Sequence, residues 1–378
     1  MPSPARAGTA VDRGSPVPRT DVPEVPGVLA AADVAATARS IAAVQEGSGA
    51  VPWFPGGHTD PWDHVESAMA LTAAGLRDEA AAAYDWCRRT QRSDGSWPAK
   101  VVDGGVGDPT TDTNFCAYVA VGVWHHLTCT GDDEFARRMW PVVRAAIDLV
   151  LDAQTERGEV AWARGGDGTW ASEALLSGCA SIHQSLRCAL ALADHVERPQ
   201  PDWEVALGRL GHALRAHPEA FTDKSRYSMD WYYPVLGGAV RGPAGLDRIH
   251  RRWPEFVVDG LGARCVDDRP WVTGAETCEL VLSLDAVGEA VLGRELLAAM
   301  QHLRDPGGSY WTGYVFTDGK RWPEERTTWT GAAVILAADA LSRTTPASAI
   351  FRGDGLPLGL APVGTGCDCD TYVTGVPG

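Results

Sequence analysis

Six clusters of acidic, hydroxyl and aromatic residues head apolar segments along this sequence, recurring roughly every fifty residues. They are Asp60-Pro61-Trp62-Asp63-His64, Thr110-Thr111-Asp112-Thr113-Asn114, Trp170-Ala171-Ser172-Glu173, Ser228-Met229-Asp230-Trp231-Tyr232, Thr273-Gly274-Ala275-Glu276-Thr277 and Glu324-Glu325-Arg326-Thr327-Thr328-Trp329. Carboxyl groups can move protons, and indole faces can stack on a sugar ring or stabilise a carbocation. Asp112, Asp230 and Glu276 are the catalytic candidates. Glu276 stands where a loop becomes a helix. An apolar wall there would raise its pKa and make it a general acid, with Asp112 or Asp230 as the partner carboxylate. Asp63, His64, Trp62, Glu173, Trp231, Tyr232, Trp271, Arg326 and Trp329 are the candidates for holding substrate. Each has a plainer reading beside it. Asp63, Asp112 and Asp230 can be N-caps, Glu276 can close a capping box or pair with Arg326, and any single Trp can be core.

Residues so spaced must be positioned by a repeat. The apolar segments have helical spacing and are rich in Ala, Leu and Arg, while alternating β-branched runs are scarce. If each cluster opens the inner helix of a helical hairpin, six hairpins close into an all-α (α/α)6 toroid with every cluster at one mouth. The expected helices cover 28–45, 61–74, 78–91, 113–126, 134–154, 173–193, 203–216, 231–240, 246–253, 276–288, 289–303 and 328–342, with Pro141 opening a new first turn. Residues 1–27 read as a disordered leader, 28–343 as the toroid and 344–378 as a Gly/Pro-rich tail containing Cys367 and Cys369.

A net charge of −16 argues against nucleic-acid or anionic-membrane partners, which need a basic face. No apolar run is long enough to span a bilayer, and residues 1–27 lack the apolar core of a secretory signal. The nine cysteines are scattered, several within helix-like segments, and read as reduced thiols of a cytoplasmic protein. The implied partner is a small molecule, with oligomeric state open. His58, Asp60, Asp63 and His64 have the types for a metal site, but loop hydrogen bonding is the commoner use of such residues.

A second periodic signature lies between the hairpins. Gln91-x-x-x-Gly95-x-Trp97 is its tightest copy, and Gln45…Gly49…Trp53, Gln154…Gly158…Trp162 and Gln301…Gly308…Trp311 are looser ones. A Gln can bond helix-end carbonyls, a Gly permits a left-handed turn and a Trp packs below the next hairpin, so the signature reads as a staple.

Gln91-Arg92-Ser93-Asp94-Gly95-Ser96-Trp97 resembles the QW motif of the squalene-hopene cyclase and prenyltransferase-repeat superfamily, of the short actinobacterial type. The resemblance implies an α/α toroid around an aromatic-lined cavity, and an isoprenoid-processing enzyme akin to terpene cyclases or prenyltransferases. The stretch comparable to the family's acid motif is 109–114, where only Asp112 and the following Thr113 match. No Asp-rich magnesium motif occurs, so magnesium enters only with a diphosphate substrate. Cys265, Asp267 and His302 do not support the zinc site of the protein prenyltransferases. Gly131-Asp132-Asp133-Glu134-Phe135 followed by Trp140-Pro141-Val142-Val143-Arg144-Ala145-Ala146 is similar instead to outer-helix segments of six-hairpin carbohydrate enzymes. That resemblance implies a glycoside hydrolase or sugar epimerase-like activity on the same carboxylates. A non-catalytic binding scaffold is the third reading.

Overall fold

The computed structural model describes residues 21–360. The leader expected over 1–27 lies mostly outside these residues, and Cys367 and Cys369 lie wholly outside them.

The helices alternate between inner and outer positions. Outer helix α1 (Ala31–Ala42) precedes inner α2 (Pro61–Ala73), and outer α3 (Arg77–Thr90) precedes an inner pair broken at Tyr118, α4 (Thr113–Ala117) and α5 (Val119–Thr130). There follow α6 (Asp133–Asp152), α7 (Leu176–His195), α8 (Pro201–Ala216), α9 (Ser228–Leu236), α10 (Gly242–Phe256), α11 (Gly274–Ala286), α12 (Ala290–Ala299) and α13 (Thr328–Ser342). Each inner helix packs on the next, from α2 through α5, α7, α9 and α11 to α13, and α13 returns to α2. The ring is closed, and the expected all-α (α/α)6 toroid is what forms.

Burial sorts the two layers. Helices α11 and α13 are buried on every side along almost their whole length, because one face meets the axis and the other meets the outer ring. Outer helices such as α6 and α10 bury one stripe only. Pro141 lies inside α6 without ending it, so the expected new first turn is absent.

Short strands fill the inter-hairpin loops. Antiparallel β1 (Lys100–Val102) pairs with β2 (Gly105–Asp108), and β3 (Thr111–Asp112) with β4 (Ala163–Arg164). Strands β5 (Val257–Val258), β6 (Gly262–Arg264), β7 (Trp271–Thr273), β8 (Gly313–Val315) and β9 (Lys320–Arg321) make a five-stranded antiparallel sheet in that order. Runs of two to four residues are too short for an alternating pattern to register in the sequence.

The Gln/Gly signature does staple the ring. The Gln91 side-chain amide donates to Gly95 O at 3.0 Å and across to Val142 O of α6 at 2.9 Å. Gln45 spans Gly49 O and Glu79 O of α3, and Gln154 spans Gly158 O and Ala206 O of α8. Gly95 has φ +89°, and a Cβ there would stand 2.2 Å from Ala145 O, so only glycine lets the turn lie against the next outer helix. Gln301 breaks the pattern, bonding its own helix and Tyr310.

The end remote from the inner-helix starts is closed by the chain after α13. Arg187 donates to Gly353 O and Pro357 O, Gln184 to Ile350 O, and Asp285 receives both Arg343 and Arg352. The axis is therefore reached from the other end, where the inner helices begin.

Candidate active site

Asp60 starts the site by ending a loop. Its Oδ1 accepts from Trp62 N at 3.0 Å and Asp63 N at 2.9 Å, so it is the N-cap of α2, and Pro61 occupies the first turn. This fixes Trp62, Asp63 and Glu66 on the first turns of an inner helix. Asp112 caps α4 through Phe115 N at 3.1 Å, and Thr327 caps α13 through Thr330 N at 3.2 Å.

Asp63 is buried beside Asp60, Glu66 and Glu279. Burial, followed by the Asp60 charge and a hydrogen bond with Asp60, raises its pKa well above the ordinary carboxyl range. Glu66, one turn further in, is raised in the same direction by burial and then by Glu279. The Trp329 indole opposes that shift, yet Glu66 Oε2 and Trp329 Nε1 each lack a hydrogen-bond partner. Tyr233 OH donates to Glu279 Oε1 at 2.6 Å and Tyr232 OH donates to its Oε2. Burial nevertheless pushes Glu279 up to about 8, with the tyrosine bonds opposing and the Glu276 charge adding. Glu276 is buried one turn nearer the mouth, next to the Cys265 thiol. Asp112 is raised to about 7 by burial, against the amides of Phe115 and Asn114.

Aromatic rings wall this cluster. Trp62 meets Trp329, Tyr118, Phe115 and Tyr233 with centroids 5.9, 5.9, 6.1 and 6.1 Å away. A cleft of about 160 Å³ opens beside Trp62, bounded by Asp112, Asn114, Phe115, Trp162, Ser177 and Met229. Asn114 Oδ1 and Trp62 Nε1 are buried here without partners. Buried polar atoms are seldom left unpaired, and such a set at an open mouth matches a ligand rich in hydroxyl groups.

Asp63, Trp62, Asp112, Glu276, Tyr232 and Trp329 thus stand around one cluster or its cleft. The other candidates do not. His64 turns to the outer side of α2, where Nδ1 accepts from Val51 N, Nε2 meets Ala83 O and the ring lies on Trp86. Burial lowers its pKa to about 4, so it is a neutral packing group. Trp231 faces α10, stacking on Phe256 and donating to Arg248 O. Glu173 is exposed in the loop before α7, and Trp271 packs on Trp322 in the sheet. Arg326 pairs with Asp305 over Trp311 rather than with Glu276. Asp230, raised by burial, accepts from Ser177 N and borders a separate recess.

Glu66 and Glu279 were missed at the level of sequence. Their signal was available: a second acid three residues after Asp63 and after Glu276, inside otherwise apolar helices. Among the described residues no group of three or more His, Cys, Asp or Glu side chains is arranged to hold a metal ion. His302 bonds Leu261 O and Arg321, and Asp267 pairs with Arg252, so neither joins Cys265 in a zinc set.

The sequence is 67% identical over 339 residues to an MMP endo-(1,4)-3-O-methyl-alpha-D-mannosidase of Mycolicibacterium hassiacum, covering 90% of this chain and 94% of that one. The chain belongs to the family of that mannosidase. No family model matches it. Among solved structures, a glycosidase in complex with glucose superposes with a TM-score of 0.64 at 17% identity, over 82% of this chain and 97% of that one. A D-mannose isomerase gives 0.63 at 12% identity, covering 83% and 97%, and the cellobiose 2-epimerase of Spirochaeta thermophila gives 0.59 at 14%, covering 83% and 96%. These three share the fold.

The family overturns the squalene-hopene cyclase resemblance, and with it the isoprenoid, terpene cyclase and prenyltransferase expectations. The physical reason is that the Gln/Gly staple joins outer helices in a ring of hairpins and says nothing about the axis. The protein is a carbohydrate-active (α/α)6 enzyme, as the competing resemblance implied. The magnesium considered for a diphosphate substrate loses its premise. Among the described residues no helix is long and apolar enough to cross a membrane.

Proposed function

We propose that the protein hydrolyses internal α-(1,4) linkages in chains of 3-O-methylmannose, with Asp63 as general acid and Glu276 as general base. The observation that carries this reading is a buried carboxyl group, Asp63, on the first turn of an inner helix beside Trp62, with burial and the Asp60 charge raising its pKa. Glycosidic cleavage needs one carboxylic acid and one carboxylate. Asp63 gives its proton to the linkage oxygen as the bond from that oxygen to C1 breaks. Glu276 takes a proton from the water that attacks C1, and the developing charge meets the faces of Trp62 and Trp329. Glu279, held by two tyrosine hydroxyls one turn further in on α11 than Glu276, supports this pair from below.

The cleft also suits a methylated sugar. Replacing a hydroxyl by a methyl ether removes a donor and adds an apolar patch, and Phe115, Trp162, Met229, Val160 and Ile182 offer apolar contact. Asp112 is occupied by its cap but retains an oxygen to accept a sugar hydroxyl.

The test is incubation with α-(1,4)-linked 3-O-methylmannose oligosaccharides beside unmethylated ones, with products sized by mass spectrometry. Mid-chain products from the methylated series are expected. Release of single sugars from chain ends, or no release, refutes the reading.

A further inference from the structure

Two recesses on the outer flanks of the mouth have no part in the chemistry above. The larger, about 810 Å³, lies between α1 and the loops that carry Asp305 and Glu324 to Arg326. The smaller, about 360 Å³, lies between residues 218–225 and the end of α10. Their positions in the ring are related. The first sits where α13 meets α2, since Glu325 and Arg326 lead into α13 and Phe54 and Pro55 lead into α2. The second sits where α7 meets α9, since Leu176 begins α7 and Asp230 lies in the first turn of α9. In a six-membered ring those two boundaries are diametrically opposite, and the central cleft lies between them.

Both recesses adjoin the cleft. On one side the rings of Trp62, Trp329 and Trp53 follow one another with centroids 5.9 and 5.7 Å apart, and Trp53 Nε1 donates to Glu325 Oε1 at 2.9 Å in the larger recess. On the other side the partition is one residue thick. Leu175, Ser177 and Met229 face the cleft, while Leu176 and Asp230 face the smaller recess.

The linings match the same ligand chemistry. The larger recess has Arg39 and Arg326 against Asp305, Glu324 and Glu325, with Trp311 at its side. The smaller has Arg248, Arg251 and Arg252 against Asp223 and Asp230, with Phe221 at its side. Charges of both signs next to aromatic rings suit a neutral polyol. A polyanion would meet carboxylates, and an acyl chain would desolvate charged groups without replacing their hydrogen bonds. The short side chains of Ala36, Ser40 and Ala43 leave the space along α1 open.

We infer that the two recesses are outer subsites of one glycan track, gripping the chain on both sides of the linkage that is cut. This rests on the mannosidase reading above. A pocket closed on one side would select chain ends, whereas opposed recesses let a polymer pass over the cleft and continue.

The test fills each recess at an exposed position, with Ala43→Trp in the larger and Ser225→Trp in the smaller, and pairs these with Arg326→Ala and Arg251→Ala. Rates are measured on a long and on a short α-(1,4)-linked 3-O-methylmannose oligosaccharide, and melting temperatures monitor folding. KM for the long chain should rise about tenfold in each Trp variant and further in the double variant, while the short chain is far less affected. Unchanged KM for the long chain in all variants, or equal losses on both lengths, overturns the track. If the wild type cuts neither oligosaccharide, the hydrolytic reading fails and calorimetric binding decides the track. Binding of the long chain that weakens in the Trp variants supports it; no binding, or binding that the variants leave unchanged, overturns it.

Discussion

The outer belt and the mouth both place polar side chains at recurring positions, and they differ in what those groups bond. In the belt, the Gln45, Gln91 and Gln154 amides each reach two backbone carbonyls, one on their own turn and one on the next outer helix. At the mouth, Glu66 Oε2, Asn114 Oδ1, Trp62 Nε1 and Trp329 Nε1 are buried with no partner. Satisfied polar groups hold a fold together, while buried unsatisfied ones at an open end mark where a ligand supplies the missing bonds. Recurrence alone does not separate the two classes.

The sharpest way to break this contrast is to remove the proposed proton donor and the proposed base. Asp63→Asn and Glu276→Gln should each lower kcat by about 10²–10⁴-fold on a methylmannose oligosaccharide while leaving the melting temperature near wild type. Belt changes should do the reverse. Gly95→Ala forces a Cβ against Ala145 O and should cost about 1–3 kcal/mol in denaturant unfolding, and Gln91→Ala about 1–2 kcal/mol, both with wild-type kcat per folded molecule. A belt variant that folds well but loses kcat would undo the separation.

A gentler change sharpens the comparison. Trp329→Phe keeps a ring against Trp53 and Trp62 but deletes the partnerless indole N–H, so KM should rise about fivefold with little change in melting temperature. An unchanged KM would mean that this donor meets no sugar.

The smallest effect is on stability against pH. Asp112 and Glu279 have folded-state pKa values raised to about 7 and about 8. A raised carboxyl binds its proton more tightly when folded, so its stabilisation is complete below the unfolded value and is lost as pH rises through the folded one. The melting temperature of the free enzyme should therefore fall as pH rises from about 4 to about 8, and Glu279→Gln should flatten the upper part of that decline. A rise across this window in the wild type, or a variant that tracks it, would place those protons elsewhere.

Much of the ring was legible from spacing. The bounds expected for α13 and the start of α4 coincide with the observed ones, and the other helices differ by a few residues, because apolar periodicity marks a helix better than its ends. The broken inner pair at Tyr118, the uninterrupted α6 and the small sheets were not legible, since local propensity carries little information over a few residues. At the site, Asp63, Asp112 and Glu276 were readable as acids at helix starts. His64 turns away from the axis because adjacent residues on a helix point about 100° apart, and the sequence does not say which one faces it.

By itself the amino-acid order specified a helical ring, its staples and the end at which acids collect, because those features repeat and each repeat is local. Which acids share a proton, which indoles lack a partner and which flanks of the mouth stand opposite each other were decided by closure of the ring. Closure sets side chains more than two hundred residues apart, such as Glu66 and Glu279, into one low-dielectric space where each alters the other's charge.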